Sequence, residues 1–154
     1  MQTVMECGEW LLRRKVLPQH ADHAGVMWHG AYLAWLEEAR IEALASVGLA
    51  YSDLSSRGLE MPVVRVRLDF RRVLAHGDQV DLCSSVLPLV GVRLPWASRF
   101  YGSNGALAAE AKVDVVLART DDSRGQDGLG RLRLVRKWPR DLLIAVEALQ
   151  RGQA

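Results

Sequence analysis

The pattern of hydrophobic and polar positions divides the chain near residue 48. In residues 30–47 apolar side chains cover most of the circumference of a helix, and only a narrow polar stripe around Glu38 and Glu42 remains. A helix that is apolar nearly all round belongs in a protein interior. Gly48 is a natural end for it, because glycine readily adopts the left-handed conformation that often follows a helix. This segment is therefore the predicted buried helix.

Strands are predicted on both sides of this helix. Residues 10–17 form a candidate first strand. After the helix, apolar and polar residues alternate in four segments: 64–70, 80–86, 92–100 and 107–117. Such alternation is typical of strands with one buried face. Asn104-Gly105 predicts a type I′ hairpin turn, and Pro95 predicts that its stretch is a sheet edge or a bulge.

The order of elements predicts an α+β fold. Four consecutive strands joined by tight turns form an antiparallel meander, so we expect an antiparallel five-stranded sheet wrapped around a long central helix. A helical turn is expected at 52–57, a polar glycine-rich loop at 120–130, and a strand and an amphipathic helix within 131–150. We expect a single domain over 1–154, with its core at about 10–118.

Composition narrows the possible classes of protein. A chain of 154 residues with 49% hydrophobic and 25% charged residues is too apolar for disorder, and its net charge of +2 is too small to indicate nucleic-acid binding. Cys7 and Cys83 show neither a disulfide framework nor zinc spacing, so a cytoplasmic location is expected. The start of the chain lacks a signal-peptide pattern, and no apolar run approaches the roughly 20 residues of a membrane span.

Candidate chemistry is concentrated where the predicted helix begins. Three of the four histidines, His20, His23 and His29, lie within ten residues around Asp22. The first turn of a helix presents unpaired backbone N–H groups, which stabilise a developing oxyanion. A carboxylate just upstream can act as a nucleophile or a general base. Together these groups are the minimum machinery for acyl transfer.

Residues 20–32, followed by Glu37-Glu38-Ala39-Arg40, resemble the 4-hydroxybenzoyl-CoA thioesterase-like branch of the hotdog-fold superfamily. That branch carries D-x-D-x-x-G-V-V-[YW]-[HYF]-x-x-[YF], then a long helix with E-x-A-R. Asp69-Phe70 and Gly77-Asp78 also match the D-F…G-D pattern that follows the helix. The resemblance covers roughly residues 10–118, and its order of elements agrees with the order predicted above.

The resemblance implies an acyl-CoA thioesterase, which hydrolyses an acyl-CoA to a free acid and CoA. It places the catalytic carboxylate at Asp22 and the oxyanion site at the backbone amide of His29, with Gly30 beside it. Gly25 matches the glycine of the turn between the carboxylate and the helix. The imidazole of His29 is a second candidate catalytic group. Because CoA is part of the substrate, neither a cofactor nor a metal is expected.

The resemblance also implies contacts with the CoA phosphates and self-association. Arg93 and Arg99, on the outward face of the fourth strand, are the candidate phosphate ligands, and a second basic cluster occupies 131–137. The family builds its sites between protomers, so a dimer or a tetramer of dimers is expected. Two departures, His20 for the first acid of D-x-D and Ala31 where relatives often have asparagine, are expected to affect rate or specificity.

Several alternatives stay open or are disfavoured. A non-catalytic acyl-CoA-binding or regulatory hotdog protein is one alternative, and a thioesterase specific for a hydroxybenzoyl or dihydroxynaphthoyl thioester is another. A hotdog dehydratase is disfavoured, because its aspartate and histidine lie about five residues apart, whereas Asp22 and His29 are seven apart. Metal ligation by the histidines and Asp22 is disfavoured because no metal-site spacing supports it. Glu37 and Arg40 are expected to form a local i,i+3 pair.

Overall fold

The computed structural model describes residues 8–121 and 131–153. Of the predicted glycine-rich loop, residues 122–130 lie outside the described residues. In chain order, the strands are β1 (Glu9–Lys15), β2 (Leu59–Glu60), β3 (Val63–Phe70), β4 (Gln79–Val86), β5 (Arg93–Tyr101), β6 (Leu107–Val116), β7 (Ala118–Asp121) and β8 (Arg131–Leu134). The helices are α1 (His29–Ser46), α2 (Tyr51–Ser56) and α3 (Arg140–Arg151).

The long strands form one antiparallel sheet in the order β1-β4-β5-β6-β3. The predicted five-stranded sheet is therefore present, and β2, β7 and β8 add a small second sheet that was not predicted as such. The predicted meander holds only for β4, β5 and β6, because β3 pairs with β6 instead of β4. The chain after β3 crosses the end of the sheet: Arg72 N donates to Ala108 O, and Gly77 N donates to Val16 O. As a result, β3 is an edge strand.

Helix α1 packs on one face of this sheet with one side only. Its buried residues include Tyr32, Trp35 and Leu36, whereas Leu33 and Ile41 are 41% and 44% exposed. The prediction of a helix buried all round is therefore wrong. On this open side of α1, Ile41 lines the same cavity as Val63 at the start of β3. Strand β3 is also largely exposed on both faces, so its predicted half-burial is wrong as well.

Charged groups on α1 interact both with the sheet and within the helix. Glu38 and Glu42 form ion pairs with Arg14 of β1, which ties the helix to the sheet. Glu37 and Arg40 are not within ion-pair distance of each other in the described part of the chain, but Glu37 raises the pKa of Arg40, so the predicted local pair interacts electrostatically without direct contact.

Pro95 lies inside β5, the middle strand of the sheet, so its predicted edge or bulge position is wrong. Leu87 N donates to Pro95 O at 2.9 Å, but proline has no N–H to donate in return. The carbonyl of Leu87 instead accepts a hydrogen bond from Gln150 Nε2 of α3 at 3.1 Å. This side chain supplies the donor that proline lacks, and the sheet tolerates the proline for that reason.

The predicted hairpin turn at Asn104-Gly105 is present, but it is not of type I′. Gly105 has φ 76°, whereas no described residue other than glycine has positive φ, Asn104 included. Gly105 N donates to Gly102 O at 2.9 Å, and Asn104 Oδ1 accepts from Ala106 N at 3.0 Å. A type I turn followed by a left-handed glycine is the common three-residue alternative for such hairpins.

Gly152 ends α3 where the chain passes closely against β1. Its φ is 81°, and an added Cβ would overlap the Gly8 backbone and lie 2.6 Å from Glu9 N. We expect Gly152→Ala to lower the free energy of unfolding in urea by about 3 kcal/mol. Gly48→Ala is the matched control, since Gly48 also has positive φ but has open space around it. That control should cost only about 1 kcal/mol, and equal losses would contradict the predicted clash.

Cys83 is buried in β4 on the sheet face opposite α1. Burial raises the pKa of its thiol to about 11, and nearby Glu9 adds to the effect. The unfolded chain ionises this thiol first, so its stabilising effect is complete below pH 9 and lost as pH rises from about 9 to about 11. We expect Cys83→Ser, in a Cys7→Ser background, to remove this fall in urea-unfolding free energy. An unchanged slope would show that other groups cause it.

Candidate active site

Asp22 lies in a short loop that leads from β1 into α1. The loop is closed by a bridge between Ala21 and Met27. Within it, Asp22 N donates to Val26 O at 2.8 Å, and Gly25 N donates to Asp22 O at 3.0 Å. Gly25 has φ 76°, a conformation that glycine adopts without steric cost. The predicted turn role of Gly25 therefore agrees with its geometry.

The Asp22 side chain is exposed, and its two oxygens differ. Oδ1 accepts hydrogen bonds from the backbone amides of Ala24 at 2.8 Å and Val26 at 3.2 Å. These bonds within the loop restrict the orientation of the carboxylate. Oδ2 makes no hydrogen bond with the described residues, so it can act on a ligand without breaking an existing contact. The motif alone predicted the residue but not this difference between its oxygens.

The start of α1 offers two unpaired donors. No side chain caps the helix at Trp28. The amides of His29 and Gly30, the first two residues of the helix, donate no hydrogen bond within the described chain. Unpaired amides at a helix start carry partial positive charge and bind anions. The predicted oxyanion residues thus lie at the end of the loop that carries Asp22.

Trp28 covers the backbone of Gly30, a contact that sequence reasoning missed. A Cβ at position 30 would overlap the indole ring of Trp28. This indole also contacts the imidazole of His29 edge-on, with ring centroids 5.4 Å apart. The only signal in the sequence was the place of both residues in the motif. Glycine at position 30 allows the indole to form a wall beside the two amides.

We expect Gly30→Ala to lower about tenfold the kcat of a reaction that uses the amides of His29 and Gly30 as hydrogen-bond donors, because the indole must leave its place beside them. Helix propensity alone predicts the opposite tendency, since alanine stabilises a helix relative to glycine. Steady-state kinetics in the wild-type and Trp28→Ala backgrounds measures the effect. If the tenfold loss persists without the indole, the clash is not its cause.

The histidines of the loop differ in role. His20 Nδ1 accepts a hydrogen bond from Leu17 N at 3.1 Å, and its ring packs edge-on against Trp35. His20 therefore supports the loop. His23 and His29 are exposed, so a ligand can reach the imidazole of each from solvent. In residues 8–121 and 131–153, no three His, Cys, Asp or Glu side chains come together as a metal site.

A hollow of about 230 Å³ adjoins the loop and the first turns of α1, and we call it the loop-side hollow. Its walls include Val26 from the loop, Tyr32 from α1 and Phe70 from β3, with the Tyr32 and Phe70 rings in edge-on contact at 5.0 Å. Arg71 and Arg72 also line it. The hollow therefore meets the loop that carries Asp22 at Val26 and Met27, whereas Asp22, His29 and Gly30 do not line it.

A cavity of about 500 Å³ lies further along α1, and we call it the α2 cavity. Its walls are mostly apolar and come from α1, α2 and the start of β3, with Glu37, Arg40 and Glu60 among them. Arg40 lies 11 residues after His29, about 16 Å along the helix axis. Burial lowers the pKa of Arg40, although Glu37 opposes the effect. Within one protomer, this cavity is remote from Asp22.

Arg93 and Arg99 lie on the sheet face opposite α1 and line neither of these cavities. Arg93 pairs with Asp114 at 3.4 Å, and Arg99 pairs with Glu9, which is only 5% exposed. Both arginines are thus engaged with carboxylates. Their predicted role as phosphate ligands stays a prediction.

Comparison with known proteins identifies the family of this chain. Residues 16–145 match the model of the thioesterase-like superfamily. A putative esterase of Aquifex aeolicus is 32% identical over 77% of this chain and 87% of its own length. A putative esterase of Synechocystis is 39% identical over 55% of this chain, and a putative acyl-CoA thioesterase of Bacillus subtilis is 26% identical over 58%. The matched parts span 51% and 65% of those two proteins.

Solved structures support the same fold. A DHNA-CoA thioesterase from Staphylococcus aureus superposes with a TM-score of 0.77 at 19% identity, covering 92% of this chain and 91% of its own. The 4-hydroxybenzoyl-CoA thioesterase from Pseudomonas sp. strain CBS-3 gives 0.76 at 19% identity, covering 89% and 98%. At these identities the likeness concerns the fold alone.

The chain belongs to the thioesterase-like superfamily and has the hotdog fold. This confirms the resemblance drawn from the sequence and supports the prediction of a thioester hydrolase. Among the described helices, none is both long and apolar enough to cross a membrane.

Proposed function

We propose that this protein is an acyl-CoA thioesterase in which Asp22 and the start of α1 form the catalytic centre. The observation that carries the proposal is one short loop joining a carboxylate with an unengaged oxygen to two unpaired amides. A non-catalytic acyl-CoA-binding protein has no need of that carboxylate. A relative from Bacillus subtilis is named a putative acyl-CoA thioesterase and one from Escherichia coli an acyl-CoA thioester hydrolase, and both names support the same activity.

In the proposed mechanism, the thioester carbonyl accepts hydrogen bonds from the amides of His29 and Gly30. These donors stabilise the negative charge that develops on the carbonyl oxygen. Asp22 either attacks the carbonyl carbon, which gives a mixed anhydride that water then cleaves, or takes a proton from the water that attacks directly. The carbon–sulfur bond breaks, CoA leaves as the thiolate and takes up a proton, and the free acid is released. The reaction uses water and protein groups alone.

We propose that the complete site requires two copies of the chain. Strand β3 has a free edge, and its side chains Val64, Val66 and Phe70 are 47%, 45% and 54% exposed. An apolar edge strand of this kind is a template for pairing with another strand. Antiparallel pairing of two β3 strands about a two-fold axis covers these side chains in both protomers. Assembly of such dimers into a tetramer stays a prediction.

This pairing brings the two kinds of cavity together. Phe70, at the end of β3, lines the loop-side hollow, whereas Val63, at its start, lines the α2 cavity. Antiparallel pairing sets the end of one β3 against the start of the other. The loop that carries Asp22 in one protomer then lies beside the α2 cavity of its partner. That cavity offers apolar space for the acyl group.

Thiol release from a panel of acyl-CoAs tests the function. The panel contains straight-chain acyl-CoAs of increasing length together with hydroxybenzoyl-CoA and dihydroxynaphthoyl-CoA, because the apolar walls suit either class. Hydrolysis of at least one thioester is the expected result. Tight binding of acyl-CoA without thiol release across the panel would favour the binding protein instead.

A further inference from the structure

We propose that Arg72 binds the phosphate at the end of the pantetheine arm of the substrate, at the pyrophosphate of CoA. This inference rests on the proposed thioesterase function and names a substrate-binding residue that the sequence motif does not contain. Arg72 lines the loop-side hollow, which also includes Val26 of the loop that carries Asp22. Arg72 and a residue of the loop that carries Asp22 therefore line the same concave surface.

The two arginines of the hollow differ in their partners. Arg71 forms an ion pair with Glu110 at 3.0 Å across β6. Arg72 forms neither an ion pair nor a side-chain hydrogen bond with the described residues. Its backbone N donates to Ala108 O at 3.0 Å, so the start of its side chain is held against the end of the sheet. Arg72 thus presents an uncompensated positive charge from a fixed backbone.

The shape of the hollow suits the arm that would lie there. Its floor is apolar and is formed by Val26, Met27, Tyr32 and Phe70. A thioester carbonyl held at the start of α1 would direct its pantetheine arm along this floor. Arg72 lines the same hollow, and a guanidinium binds phosphate through two parallel charge-assisted hydrogen bonds.

The nearby carboxylates leave room for an anion at Arg72. Asp78 Oδ2 accepts a hydrogen bond from Ala75 N at 2.9 Å, and Glu110 is paired with Arg71. At Arg99, by contrast, a phosphate would have to compete with Glu9, which is buried and would lose its ion-pair partner. An uncompensated buried charge is strongly unfavourable. Arg72 therefore accepts a phosphate at a lower cost than Arg99.

The test compares Arg72→Gln with wild type on three thioesters that share one acyl group: hexanoyl-CoA, hexanoyl-dephospho-CoA and hexanoyl-pantetheine. We expect KM to rise about tenfold for the first two, because both carry the pyrophosphate, and to stay unchanged for the third. Arg72→Lys should restore part of the affinity. Arg151→Gln, which removes an exposed arginine at the end of α3 that lines neither cavity, is the matched control and should change no KM.

Three outcomes would overturn the inference. An equal rise in KM for hexanoyl-pantetheine would mean that Arg72 supports the hollow without binding phosphate. A rise confined to hexanoyl-CoA would assign the contact to the 3′-phosphate. A rise in KM with Arg93→Gln or Arg99→Gln, but not with Arg72→Gln, would assign the phosphate contact to the opposite face of the sheet.

Failure of the proposed function gives a separate result. If the wild type releases no thiol from any thioester, the catalytic proposal fails. Calorimetry with CoA itself then still tests Arg72, with an about tenfold weaker Kd expected for Arg72→Gln. An unchanged Kd overturns the inference.

Discussion

An Asp22→Asn enzyme is expected to lose roughly a thousandfold in kcat for acyl-CoA hydrolysis, because an amide can neither attack the carbonyl nor accept a proton from water. Its KM should change little, since the amides of His29 and Gly30 and the loop-side hollow stay in place. Asparagine retains a carbonyl oxygen that can accept the hydrogen bonds from Ala24 and Val26. Steady-state thiol release on the best substrate of the panel is the measurement.

Asp53→Asn provides the matched control, since Asp53 is an exposed aspartate in α2 that lines neither cavity. This variant should retain the wild-type rate. Circular dichroism and urea unfolding establish that both variants are folded. A folded Asp22→Asn protein that hydrolyses at the wild-type rate would rule out Asp22 as nucleophile and as base.

Val66→Arg is expected to weaken self-association roughly a hundredfold, because two-fold pairing of β3 brings the introduced charge of each protomer into the same interface. Val66 lies in the middle of β3 and is 45% exposed in the single protomer. Activity should fall with the dimer fraction, since in the proposed dimer the partner completes the acyl pocket. Sedimentation velocity and thiol release, measured over the same range of protein concentration, give both quantities.

Val90→Arg is the control for this second experiment. Val90 is 67% exposed between β4 and β5, away from the β3 edge, so the same charge there should leave association unchanged. A wild-type protein that is monomeric and fully active would contradict the two-copy site. So would a Val66→Arg protein that retains both its dimer and its rate.

Local pattern predicted the elements well because periodicity reports which side of a segment is apolar. The predicted helix at 30–47 corresponds to α1 at His29–Ser46, and each alternating segment became a strand. Periodicity does not show, however, which strands lie next to each other in the sheet. Periodicity assigned β3 to a meander. In the structure, the crossing segment after Phe70 carries the chain from the β3 edge of the sheet to β4, beside the opposite edge strand β1. An apolar residue such as Ile41 also predicts burial, but the pattern does not show whether the covering side chains belong to the same chain.

The candidate site shows a similar division. Asp22, Gly25, His29 and Gly30 were predicted from a motif, and the structure brings them into one loop and the helix start that follows. Contacts that depend on three-dimensional packing escaped prediction. The indole of Trp28 over Gly30 is one example. The available guanidinium of Arg72 is another, because nothing local distinguishes it from Arg71.

The bond between Gln150 and the Leu87 carbonyl makes the C-terminal helix part of the sheet's own hydrogen-bond pattern. A form of the protein cut before residue 140 would lose more than an apolar cover, because it would leave an acceptor beside Pro95 without its donor. If Pro95 is replaced with a residue that has an N–H, that N–H can donate to the Leu87 carbonyl, and the hydrogen bond from Gln150 is no longer needed. Substitutions at these two sites should therefore be non-additive, although they lie 55 positions apart in the chain.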